Sequence, residues 1–225
     1  MNKFSVYEQV GIVTPGAVFL FVAMFYVPEL RDVLAKDGIS IGGLGVFLLV
    51  AFATGHLLAA LGNVVEAAYW RAKGGMPTSW IVGSNPRLLS AEQIARLEAA
   101  VSQRLDLGLK PLRDLDARIW FPISRQIYSD VERHGHVSRV DTFNGTYGLN
   151  RGLCAAMLAL AVGSVMLQPA HWPVSLGVAA LGGIYLSRMH GSGVDYAREL
   201  YNQFLLLPAD EAALKRAPSR RAAVD

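Results

Sequence analysis

The residues best suited to chemistry in this chain lie inside an apolar stretch. His56 is followed by Asn63, Glu66 and Trp70 at offsets of seven, ten and fourteen residues, spacings that put all four on one broad face of a helix. The run from Gly42 to Ala68 around them is almost wholly hydrophobic. An imidazole there has no bulk water for its ring nitrogens and needs a polar partner or a water-lined cavity. Arg151 opens the next apolar run, and Arg188 with His190 closes the last, so these cations are expected at the level of Glu66. A carboxylate and a guanidinium at that border should pair, because an unpaired charge there is costly; Glu66 is expected to bind Arg151 or Arg188. Such a cluster can serve as a charge lock between helices, as a conducting or gating path, or as an acid–base site with His56 as base and Glu66 as orienter. Metal binding is disfavoured, since no second histidine lies four residues from His56. His134 and His136 flank Gly135 near Asp130 and Glu132, a pattern that reads as a solvated helix end rather than a ligand pair. No catalytic residue, metal or cofactor is therefore expected.

The elements that must position these residues are visible in the composition. Hydrophobic residues make up 52% of the chain and charged residues 17%, against roughly a quarter charged in soluble domains. The apolar residues fall in four blocks: Val10 to Val27, Ile41 to Leu61 with an extension through Ala68, Gly152 to Leu167, and Trp172 to Leu186. Each approaches the roughly 20 residues a membrane-crossing helix needs. Gln168, Pro169, Ala170 and His171 separate the last two into a hairpin. The expected fold is all-α: four transmembrane helices with a helical cytoplasmic cap. Its parts are residues 1–70 (helices 1 and 2), 71–150 (cap), 151–190 (helices 3 and 4) and 191–225 (C-terminal helix and tail).

Orientation follows from the basic residues. The segment Arg71 to Arg151 holds twelve of the 21 lysines and arginines, and the stretch from Arg188 onward holds six. The loop after the first block has only Arg31 and Lys36 among Glu29, Asp32 and Asp37, and the loop after the third has none. Cytoplasmic cap and termini are the expectation, with the short leader Met1 to Gln9 inside and no cleavable signal peptide. The net charge of +3 does not point to nucleic acid, because eight acidic residues are interspersed in the central segment and no like-charge run exceeds Arg220–Arg221. Topology and lipid headgroup contact account for it. The lone Cys154 reads as a small packing residue.

Within the cap, Ser90 and Gln93 have the spacing of a capping box and predict a helix over 91–105 with Ile94, Leu97, Val101 and Leu105 on one face. Pro122 suits the first turn of a second helix ending near Gly135, with Ile123, Ile127 and Val131 on one face. A third runs from Val137 through Tyr147 and Arg151 into the third span. Tyr196, Leu200, Tyr201, Phe204 and Leu205 form a stripe for a helix packed on the cap or lying at the interface; the Ala- and Arg-rich stretch from Pro208 reads as a mobile tail. Gly42, Gly43, Gly45, Gly55 with Ala59, Gly62, and Gly182 with Gly183 suit close helix packing, and Pro15–Gly16 suits a bend in the first helix. Walker, dinucleotide-binding, serine-elbow and HExxH motifs are absent.

Three stretches carry a resemblance: Gly55-His56-Leu57-Leu58 with Gly62, Asn63 and Glu66; Phe143 to Arg151; and Tyr196-Ala197-Arg198-Glu199-Leu200-Tyr201. In these the chain resembles uncharacterised bacterial four-span membrane proteins, some of which accompany anti-phage defence systems. The resemblance implies a membrane effector, an oligomer whose cytoplasmic cap receives a nucleotide messenger or a partner protein and whose spans then open or disrupt the membrane. Arg113, Arg118 and Arg125 are the cap residues from which a messenger site would be built. The expectation is thus a homo-oligomeric, channel-like or membrane-perturbing effector of the bacterial inner membrane, in contact with lipids and not with nucleic acid. An intramembrane enzyme acting on a lipid or isoprenoid, and a membrane anchor for a cytoplasmic complex, are the alternatives.

Overall fold

Helices account for every regular element of the computed structural model, which describes residues 6–35, 41–105, 107 and 110–208. The leader before Val6, Lys36, Asp37 and the tail beyond Pro208 lie outside the described residues. The order is α1 (Val6–Ala23), α2 (Pro28–Ala35), α3 (Ile41–Ala72), α4 (Ala91–Leu105), α5 (Ala117–Arg133), α6 (Ser138–Leu167) and α7 (Trp172–Leu206). Short 3-10 turns at Pro77–Ser79, Leu112–Asp114 and Pro169–His171 join them. Among the described residues, α3 and α6 are long and apolar enough to cross a membrane. The other two expected spans are less complete. In α1 the apolar stretch is the shorter Val10–Ala23, and the chain leaves the helix through a turn at Met24–Tyr26 before Pro28 starts α2. In α7 the apolar half is diluted by glycines, Ser175, Tyr185 and Arg188.

The chain divides into two units, residues 1–74 with 142–193 and residues 75–141 with 194–225. The expected boundaries near 71, 151 and 191 mark the ends of apolar runs; the packed units change over after Gly74 and inside α6 and α7.

In the first unit α6 is the central helix. From Gly152 to Met157 every residue is buried, and Leu160, Ala161 and Ser164 continue the buried face. Its small residues allow this: a Cβ on Gly152 would meet the ring of Pro15 in α1, and one on Gly182 of α7 would rest on Met157 and Leu158. Leu58 of α3, Ala156, Met157 and Leu160 of α6 form the core, with Val18, Phe19 and Val22 of α1 and Val178 and Tyr185 of α7 against it. α1 and α3 meet through glycines. A Cβ on Gly16 would land on the Ala51 carbonyl, and one on Gly55 on the Ile12 carbonyl, so both positions must stay without a side chain. Gly183, expected at a packing face with Gly182, points into open space, because one residue turns the helix by about 100°. Gly42 and Gly45 likewise have nothing near them. At the hairpin, the buried hydroxyls of Ser164 and Ser175 share a 2.6 Å hydrogen bond, which satisfies both without water.

The second unit is built on an amphipathic pair. The capping box forms as its spacing predicts: Gln93 N–H donates to Ser90 Oγ (3.2 Å) and Ser90 N–H to Gln93 Oε1 (3.0 Å). α5 starts five residues before Pro122, not at it. Asp116 is its N-cap, accepting the Arg118 N–H at 2.7 Å, and the earlier start brings Trp120 into the core. Pro122 sits within the helix. α5 ends at Arg133, and Gly135 with a φ of 77° turns the chain, a conformation for which glycine carries no Cβ penalty. Ile81, Leu97, Val101, Leu112, Trp120, Ile127, Val131, Val140, Leu200, Tyr201 and Phe204 are almost wholly buried together. Thus the C-terminal stripe of α7 is core.

Candidate functional site

The expected pairing of Glu66 is made with Arg151. Glu66 Oε2 accepts a hydrogen bond from Arg151 Nη1 at 2.5 Å, and the two side chains keep only 17% and 24% of their exposure. The local sequence makes room for this. Gly62 lies one turn before Glu66 on the same side of α3, and a Cβ there would meet Arg151 Cγ at 3.1 Å. Gly62 therefore clears space for the guanidinium stem. The cation also lies 5.9 Å from the ring centre of Tyr147, one turn earlier in α6. Its Nε is buried and takes no partner among the described residues.

One turn further along α3 the pattern repeats in neutral form. Trp70 is buried, and its indole N–H donates to the Tyr147 hydroxyl at 2.7 Å. Gly193 of α7 lets that pair close up, since a Cβ there would meet the Trp70 and Tyr147 rings at 3.1 Å. His190, also of α7, stacks on Trp70 with ring centres 5.3 Å apart, and its Nδ1 shares a 3.0 Å hydrogen bond with the Tyr69 hydroxyl. Asn150 completes the layer: it is buried, donates to the Thr146 carbonyl at 2.9 Å, and lies 3.5 Å from the Ser192 hydroxyl. Glu66, Trp70, Tyr147, Arg151 and His190 thus form one connected arrangement of α3, α6 and α7. Tyr69, Tyr147, Asn150 and Ser192 were not singled out from the sequence. The signal available was the i, i+4 spacing of Tyr147 and Arg151, which mirrors that of Glu66 and Trp70.

The other expected members lie elsewhere. His56 and Asn63 are on an exposed face of α3, and His56 makes a T-shaped contact with Phe52, with ring centres 4.6 Å apart. The four residues of the presumed single face are divided, because α1 and α6 cover Ala51, Gly55, Leu58 and Gly62, which lie well round the helix from His56. Arg188 is also exposed and stands outside the cluster.

This geometry bears on chemistry. Ten residues at 1.5 Å rise separate His56 from Glu66 by about 15 Å along the axis, so the two do not meet as base and orienter. The Glu66 carboxylate is held by Arg151, and the arrangement is suited to joining helices and to storing a separable charge pair. Among the described residues there is no group of three or more potential metal ligands.

The second unit carries its own charge centre. Arg104 Nε donates to Asp130 Oδ2 at 3.0 Å with both side chains largely buried, and Arg104 Nη1 also donates to the Pro208 carbonyl at 2.6 Å. His134 lies over the same residue, its Nδ1 3.5 Å from the carboxylate and 2.8 Å from the carbonyl of Asp130. His136 is held by Gln203 at 3.3 Å, so the two histidines of the turn serve different contacts. Trp120 and Tyr201 share the Thr78 carbonyl and each other's polar tips; burial raises the Tyr201 hydroxyl above its ordinary pKa. Arg113, Arg118 and Arg125 are exposed, with Arg113 reaching Asp114 at 3.8 Å.

Comparison of the chain with protein-family models, with curated proteins and with solved structures finds no match.

Proposed function

We propose that this chain is a multi-pass protein of the bacterial inner membrane, with α1, α3, α6 and α7 crossing and both termini cytoplasmic, that acts as an oligomeric, channel-like or membrane-perturbing effector. The observation that carries the reading is the outer surface of the first unit combined with the charge pair inside it. Leu49, Leu57 and Val64 of α3 are 72%, 74% and 66% exposed, and Phe21, Met166, Leu176 and Ile184 extend such exposure over the other three helices. Folded water-soluble chains rarely leave so much contiguous apolar surface uncovered; hydrocarbon is the solvent that suits it. Against that background Glu66 and Arg151 form a lock that is stable while closed and costly to open, the property a gate needs. The second unit, with exposed Arg113, Arg118 and Arg125, receives the signal, a nucleotide messenger or a partner protein, and its displacement releases the lock. Because His56 and Asn63 face outward, they belong to a surface offered to other copies of the chain rather than to a path through one. The resemblance to four-span proteins beside anti-phage systems supports a role of the opening in defence.

The test is ion and dye flux from liposomes holding the purified protein. Glu66→Gln removes the charge while keeping the shape, so basal flux should rise severalfold over wild type. A variant with unchanged assembly and unchanged flux would sink the gating mechanism.

A further inference from the structure

We propose that the outward seam of α3 docks against the same seam of a second copy of this chain, with the two helices parallel. The inference rests on the membrane reading above and names the surface through which the oligomer forms. Gly42, Val46, Leu49, Ala53, His56, Ala60, Asn63 and Ala67 follow one another at alternating intervals of four and three residues, and all eight are exposed. An unbroken four–three rhythm keeps a narrow seam in register with a partner helix through a left-handed crossing. Alternate positions are the small residues Ala53, Ala60 and Ala67, which permit close approach of two backbones.

Two polar side chains decide what covers this seam. Of the exposed residues from Gly42 to Val64, only His56 and Asn63 are polar, and both fall on the seam. Neither takes a hydrogen-bond partner among the described residues, while the exposed positions beside the seam carry Phe52, Leu57 and Val64. Lipid chains suit those three and satisfy neither polar group. A neutral imidazole and a carboxamide each both donate and accept, so each is complementary to itself. Copies inserted in the same orientation bring residues of equal number to equal depth. A second copy therefore pairs His56 with its counterpart and Asn63 with its counterpart in one register, seven residues apart, and no other register satisfies both.

The experiment uses the full chain in liposomes with Cys154→Ala, so that each introduced cysteine is unique. Ala53→Cys, Ala60→Cys and Ala67→Cys sample the seam; Leu57→Cys and Val64→Cys sample the exposed surface beside it. Mild oxidation should yield disulfide-linked dimers at the three seam positions and little at the other two. Equal linking at both sets, linking that favours Leu57 and Val64, or none at all five overturns the proposal. Interhelical hydrogen bonds in membranes are individually weak, so His56→Phe with Asn63→Leu should lower the Ala60→Cys dimer about tenfold, while Asn63→Gln retains it; loss with Asn63→Gln and retention with the double apolar variant would also overturn it. Seam linking in liposomes silent to ions and dyes would leave this surface standing and remove the effector reading. Flux that responds to Glu66→Gln, without the cross-linking repeat, would do the reverse.

Discussion

Asp130 shows what a single side chain decides here. Read along the chain it is one acid near two histidines; folded, it neutralises Arg104, whose side chain keeps 7% of its exposure. Removing the carboxylate strands that cation, and breaking one partner of a buried pair costs roughly 3–5 kcal/mol. Asp130→Ala should therefore lower the thermal midpoint of the full chain in detergent by on the order of 10 °C, and Asp130→Asn, which still accepts the Arg104 bond, by clearly less. Equal, small shifts for both would mean the pair is solvated. Glu66 differs in kind: its partner was foreseeable because the border of an apolar run limits which cations are near it, whereas nothing local links Arg104 to Asp130. His56 makes the opposite point. Its chemistry was legible, but the side of α3 on which it stands depends on which face the neighbouring helices cover.

At the scale of elements, small residues do the positioning. Gly55 and Gly183 lie on helices of similar composition and look alike in sequence, yet one abuts the Ile12 carbonyl and the other faces open space. Gly55→Ala forces α1 off α3, and overpacking of this kind costs about 1–3 kcal/mol or more. Gly183→Ala should leave stability within about 0.5 kcal/mol of wild type, as expected away from packed surfaces. Denaturation of the two variants side by side checks the contrast, and equal losses would refute the α1–α3 crossing. The start of α5 follows the same logic from the other end. Pro122 is compatible with a first turn, but Asp116 offers a cap and Trp120 a large buried side chain, and together these outweigh the cost of an internal proline.

For the molecule as a whole, the apolar helices α3 and α6 and a widely exposed apolar surface predict that the protein stays with the membrane fraction after alkaline carbonate extraction; release into the supernatant would refute membrane insertion. The helical class, the α4 cap, the continuous run of α6 from Ser138 through Arg151 and the need of Glu66 for a cation can all be read along the chain. These follow from local rules, since periodicity, capping and the cost of an unpaired charge act over a few residues. Folding adds what the chain leaves open: Arg151 rather than Arg188 answers Glu66, Tyr147 and His190 join Trp70, His56 and Asn63 face outward, and the units change over within α6 and α7. Each of those outcomes depends on which faces pack together, and packing is fixed by the fit of distant residues such as Gly16 with Ala51 or Gly193 with Trp70, which spacing along one helix does not encode.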